Sequence, residues 1–135
     1  MDERERAIWR NRWRATVWQL SGVDGAWCGL LGEQAAEARP RFALSAWTPD
    51  SALLPEAVNR ARDALLAAEL QAHGERPQRI RGGDPQADWW EEGWLIGHDQ
   101  ARDSALLRRY GQLAGLLLSG GRARLLWRDG RCDPP

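Results

Sequence analysis

The chain has 135 residues and a mass of 15.2 kDa, which suits one domain, and its 43% apolar content suffices for a core without disulfide or metal staples. Nineteen basic side chains balance nineteen acidic ones, which argues against a strongly basic nucleic-acid binder or a polyacidic tail. Every base is arginine, so Schiff-base chemistry on a lysine is excluded.

The start, Met1-Asp2-Glu3-Arg4-Glu5-Arg6, carries neither a signal peptide nor an apolar span, and the expectation is a cytoplasmic protein with no membrane contact. Cys28 and Cys132 are too few and too far apart for a disulfide framework, and they read as two reduced thiols. Residues 2–12 predict a short charged helix with Ile8, Trp9 and Trp13 on neighbouring turns, within an N-terminal arm over 1–13. From Arg14 to Leu20 the β-branched and aromatic pattern predicts a strand. Turn chemistry at residues 21–25 and a second extended run over 26–31 complete a hairpin.

After a polar link over residues 32–40, Arg41 to Trp47 reads as a buried strand ended by Thr48-Pro49. A helix follows over 52–73, capped by Asp50 or Ser51. Val58, Ala61, Leu65 and Ala68 form its apolar stripe, and Gly74 sits at the C-cap. Gln78 to Arg81 is a short strand before a turn at Gly82-Gly83-Asp84-Pro85. The acidic, tryptophan-rich stretch 87–92 then leads into a central strand over 93–98. Asp99 caps a helix to Tyr110, with Ala101, Ala105 and Leu106 facing inward. Two strands over 114–119 and 123–127 form a final hairpin before a frayed tail over 129–135.

From Arg41 onward this order is β-α-β-β-α-β. The expected class is therefore α+β, a mostly antiparallel sheet with two helices on one face, a ferredoxin-like core extended by the N-terminal hairpin.

The segments Phe42-Ala43-Leu44-Ser45-Ala46-Trp47-Thr48-Pro49, Asn59, Gly83-Asp84-Pro85, Trp90-Glu91-Glu92 and Tyr110-Gly111-Gln112 recur in order along residues 14–128. Together they resemble the DUF3293 family of bacterial proteins, whose pattern runs T-A-W-N-P, a helical E-N, W-x-E-x-S and F-G-Q-x-A. Ser45, Thr48, Gly93 and Leu113 depart from that pattern. The resemblance implies no activity, because the family's name assigns none.

Two readings of the matching polar residues follow. In the plainer one, Asn59 and Gln112 hydrogen-bond loop backbone. In the functional one, Thr48, Asn59, Arg81, Trp90 and Gln112 surround a small polar ligand. An enzyme on the same site would use Glu91 or Glu92 as general base, its pKa raised by surrounding tryptophans, with Arg79 or Arg81 as an anion clamp. Adjacent strand residues point to opposite faces, so only one of the two glutamates can serve.

No nucleophile accompanies the glutamates, His73 and His98 have no second ligand at metal spacing, and neither a Walker sequence nor G-x-G-x-x-G occurs. No cofactor and no metal are expected. His98 beside Asp99 is a pair to examine.

Of nine tryptophans, Trp18, Trp47, Trp94 and Trp127 fall in strand-like runs and read as core. Trp9, Trp13, Trp89 and Trp90 sit among charges and read as outward-facing, a flat patch for a protein partner or a stacking surface for single-stranded nucleic acid. Residues 1–14 hold five arginines against three acids, and residues 122–131 hold four against one. The plainer account of these basic ends is arginine packed on tryptophan, and nucleic acid is the least favoured partner. The leading expectation is a non-catalytic module for a small molecule or a protein partner, followed by a glutamate-dependent enzyme, with weak nucleic-acid binding third.

Overall fold

In the computed structural model, residues 1–20, 27–28, 39–49, 52–119 and 122–134 are described, with only the backbone of 27–28 and of Arg122. Helix α1 (Glu3–Arg14) leads into strands β1 (Val17–Leu20), β2 (Trp27–Cys28) and β3 (Arg41–Ser45). Helix α2 (Glu56–Ala72), strands β4 (Gln78–Asp84) and β5 (Trp89–Gly97), helix α3 (Gln100–Arg109), and strands β6 (Ala114–Ser119) and β7 (Arg122–Trp127) follow. The fold is α+β. All seven strands pair antiparallel in one sheet, in the order β2-β1-β4-β5-β3-β6-β7.

Both faces of the sheet are buried, and the alternation of side chains divides the core in two. Phe42, Leu44, Ile96 and Leu126 meet Leu66 and Leu70 of α2 and Leu106, Leu107 and Tyr110 of α3 on one face. Ala43, Ile80, Leu95, Leu116, Leu125 and Trp127 line the other, where the sheet curls toward α1 and Trp9 and Trp13 pack against it. Among the described residues three helices form: α2 and α3 share one face, and α1, the helix of the N-terminal arm, covers the concave face of the sheet instead of standing apart from it.

Helix α1 forms despite its charge because Asp2 and Glu5 make a reciprocal capping box: Glu5 N–H donates to Asp2 at 2.8 Å and Asp2 N–H donates to Glu5 at 3.3 Å. Its inward stripe is Arg6, Trp9, Arg10 and Trp13, at helical spacing, while Ile8 is exposed. The Arg6 guanidinium lies over the Trp127 ring at 4.8 Å and reaches Asp129 at 2.5 Å. Arg10 grips both oxygens of Asp133, at 2.7 and 2.9 Å.

The C-terminal segment is not frayed. It folds back so that Leu126 bridges to Cys132, and the buried Asp133 accepts the Trp127 indole N–H at 2.9 Å. Trp127 is the fully partnered indole of the four expected in the core. The N–H groups of Trp18, Trp47 and Trp94 are buried without a protein acceptor among the described residues.

Helix α2 is rotated from its expected face. Val58 and Leu65 are exposed, while Asn59, Asp63, Leu66 and Leu70 point inward. Pro55 stands at its N-cap without a side-chain hydrogen bond, Asp50 and Ser51 lie outside the described residues, and Gly74 closes the helix at φ 84° as expected. The inward face of α3 is Asp103, Ser104, Leu106 and Leu107, with Ala101 exposed, and Asp99 caps the helix as expected by accepting Arg102 N–H at 3.1 Å. None of the described helices is long and apolar enough to cross a membrane.

Gly82, Gly83 and Asp84 belong to β4 and Trp89 to Glu92 belong to β5, so the turn lies beyond Asp84 and the two strands run longer than the sequence suggests. The register that results pairs Gly82 with Glu91, Arg81 with Glu92 and Gly83 with Trp90. Of the first hairpin, the pairs Val17–Cys28 and Trp18–Trp27 are formed, and its expected turn lies outside the described residues.

Candidate functional site

A cavity of about 540 Å³ lies between α1 and the concave face of the sheet. Its walls are mainly apolar, with the indoles of Trp9, Trp13, Trp18 and Trp89 as their largest members. Along β5, Trp89, Glu91 and Gly93 take the concave side, while Trp90, Glu92 and Trp94 take the other, as strand alternation requires. Glu91 is therefore the glutamate presented to the cavity.

Its neighbours make room for it. Gly82, its partner across the strands, has no side chain, and a Cβ there would fall 2.8 Å from Cζ3 of Trp18. The glycine lets that indole lie against the strand beside the carboxylate. Gly93, two residues further along β5, lies against the neighbouring strand, where a Cβ would fall 2.6 Å from the Leu44 carbonyl oxygen. Burial in this apolar setting pushes the Glu91 carboxyl above its ordinary value of 4.5, and the nearby Thr48 hydroxyl pulls it partly back.

Thr48 owes its position to residues that share no secondary structure with it. Its φ of 50° is in the left-handed region, which a threonine adopts only when its surroundings impose it. The Asn59 side chain, from the first turn of α2, accepts Thr48 N–H at 3.1 Å. Gln112 donates to the carbonyls of Trp47 at 2.9 Å and Tyr110 at 3.0 Å. Arg62 donates to the carbonyls of Ala46 at 2.8 Å and Tyr110 at 2.6 Å, tying the two turns together. Ser45 Oγ donates to Glu92 O at 2.6 Å and accepts Trp47 N–H at 2.9 Å.

Asn59 and Gln112 thus hold backbone, as the plainer reading had it. What they hold is the loop that sets Thr48 against Glu91. Asn59→Ala would leave Thr48 N–H without its acceptor and is expected to cost about 1 kcal/mol, measured as a drop in the urea midpoint with an unchanged slope.

Thr48, Gln112 and Glu91 border the cavity, and Asn59 stands behind Thr48. Arg81 and Trp90 do not reach it. They stack on each other at 3.9 Å on the helix-bearing face, where Arg81 donates to Gln19 at 2.7 Å. Arg79 is there too, forked onto Asp63 through two 2.9 Å hydrogen bonds, 3.6 Å above the Trp94 ring and 3.7 Å from Glu92. The register of β4 puts both arginines on the face away from Glu91, so neither can serve as an anion clamp for it and Glu92 is not at the site.

The flat tryptophan patch is not formed either. Trp9 and Trp13 are half-buried cavity walls, Trp89 stands at the mouth with 46% exposure, and Trp90 is on the opposite face. Sequence reading missed α1 as a wall of the site. The signal was the spacing Trp9–Trp13, one turn apart in a helix that also carries inward arginines.

The pair at His98 is made differently from expectation. Its Nδ1 lies 2.7 Å from the fully buried Asp103, which also accepts Asp99 N–H at 3.0 Å and faces Arg102. Arg102 in turn binds Glu75 at 2.7 Å and the Gly97 carbonyl at 2.7 Å. This network staples α3 to the end of β5, far along the sheet from Glu91.

Three arginines of the basic N-terminal segment are likewise engaged within the chain: Arg6 on Trp127 and Asp129, Arg10 on Asp133, and Arg12 at 4.7 Å over Trp9.

The architecture defines an α+β domain with an indole-walled cavity and a half-buried carboxylate, Glu91, in its wall. A family model described as a protein of unknown function (DUF3293) matches residues 44–114, and the chain belongs to that family. The matched run contains Ser45 to Thr48, Asn59, Glu91 and Gln112, the residues that converge on the loop and the cavity floor. No curated protein and no solved structure matches the chain.

Proposed function

We propose that this domain is a non-catalytic binding module whose cavity takes a small molecule, with Glu91 as its polar anchor and the α1 and β5 indoles as its walls. The single observation that carries this reading is Glu91 itself, a half-buried carboxylate at the floor of a largely apolar cavity, with the family-matched residues arranged to position its threonine neighbour. Burying an acid in apolar surroundings is unfavourable, and it persists where a ligand uses it. The volume is within the range of small-molecule sites.

A thermal-shift screen against metabolites tests the reading. A binding compound should raise the melting temperature of the wild type, and a Trp13→Ala variant that remains folded should lose most of that response, since the wall has been removed. If no compound shifts the wild type, the site is not a ligand pocket.

A second reading is favoured by the upward displacement of the Glu91 carboxyl, which moves it toward the range useful to a general base. In that case Glu91→Gln would still bind substrate but would turn nothing over. The strand order β4-β5-β3-β6, with α2 and α3 sharing one face, supports reading the β3-to-β6 run as a ferredoxin-like unit, against which α1 and β1 set the cavity walls Trp9, Trp13 and Trp18.

A further inference from the structure

Seven acidic side chains among the described residues are buried or half-buried. Six of them are matched by a cation of this chain: Asp63 and Glu92 by Arg79, Glu69 by Arg109, Glu75 by Arg102, Asp103 by His98 and Arg102, and Asp133 by Arg10. Glu91 is the seventh, and no arginine or histidine among the described residues forms an ion pair with it. Nineteen arginines were available to the sequence, and the one that lines the cavity, Arg12, sits over the Trp9 ring. The other acid on the cavity lining, Asp84, is exposed and accepts the backbone N–H of Gln86.

A half-buried carboxylate without a counter-ion has its charge left to be matched from outside the chain. The walls around it have the same preference. Indole faces carry negative potential and attract cations, and Trp9, Trp13, Trp18 and Trp89 all border the cavity. A carboxylate among indoles opposes an anion on both counts, and a neutral apolar guest would cover Glu91 without compensating it. From these observations we propose that the cavity selects an organic cation, a protonated amine carried on a flat apolar body, with the ammonium at Glu91 and Thr48 and the body against the indoles. This rests on the reading of the cavity as a ligand site and adds the chemical class of the ligand.

Isothermal titration of the full chain at neutral pH with three probes of similar shape separates the two claims. The probes are phenethylamine, 2-phenylethanol and 3-phenylpropionate, which offer a cation, a neutral group and an anion on the same ring. The wild type should bind the amine at least tenfold more tightly than the alcohol and should bind the carboxylate least. In Glu91→Gln, whose fold is verified by its melting curve, the preference for the amine should vanish while weak binding of the ring persists. If the wild type binds the alcohol or the carboxylate as tightly as the amine, the cation inference is overturned and the cavity remains a ligand site. If none of the three binds the wild type at millimolar concentration, both the cation inference and the site reading are overturned.

Discussion

Asp133→Ala is expected to destabilise the domain by about 3 to 5 kcal/mol, the usual consequence of removing one partner from a buried ion pair. The side chain it removes, 12% exposed, accepts two hydrogen bonds from Arg10 and one from the Trp127 indole. The Trp127 indole would be left without an acceptor, and Arg10 would keep only its 3.3 Å contact with the exposed Glu3. Because Arg10 projects from α1 and Trp127 from β7, this carboxylate fastens the helix that roofs the cavity to the far edge of the sheet.

The clasp should also be acid-labile. Burial pushes the Asp133 carboxyl up, but the hydrogen bonds from Arg10 and Trp127 and the charges of Arg10 and Arg6 outweigh it and hold the group below its ordinary value of 3.8. A depressed carboxylate adds stability above the pKa of the unfolded chain and loses it as the pH falls through the folded value. Urea unfolding at pH 7 and at pH 3 should therefore show a wide gap between wild type and variant at the higher pH and a narrower one at the lower. A gap that is independent of pH would mean that the charge of Asp133 does not hold α1.

The elements of the fold were largely legible, and the faces they turn inward were less so. Hydrophobic periodicity located α2 but chose Val58, Ala61, Leu65 and Ala68 as its buried stripe, and all four are exposed. The stripe that is buried includes Asn59 and Asp63, each with a distant partner: the Thr48 backbone for one and Arg79 for the other. A polar residue becomes an inward residue when its partner arrives from another element, and a single helix carries no sign of that.

The same limit applied to α1, whose arginines looked like a solvated face. Arg6 is 5% exposed because Trp127 and Asp129, more than a hundred residues away, receive it. At the site, alternation along β5 established that only one glutamate could serve. Which one depends on where the strand lies against β4 and on which face Trp18 covers Gly82, and both are tertiary facts. Arg81 was misplaced for this reason: it is one residue from Gly82 along the chain and on the opposite face of the sheet.

Glu91→Gln is expected to stabilise the unliganded protein, by up to about 2 kcal/mol, while removing its preference for a cation. The amide keeps an oxygen for the Thr48 hydroxyl and fills the same volume, so what changes is the charge. Because burial raises the Glu91 carboxyl above 4.5, the folded protein holds its proton over a range of pH in which the unfolded chain has released it. Stability of the wild type must then fall as the pH rises through that range, and the amide variant would not follow it. Melting temperatures of the two proteins should lie close together near pH 4 and separate by several degrees by pH 7, the variant being higher. A variant less stable than wild type at pH 7 would mean that the carboxylate is satisfied within the fold, as the other six are. Instability confined to one acid, where every other buried acid among the described residues is neutralised by a cation, is the expected mark of a group retained for what it binds.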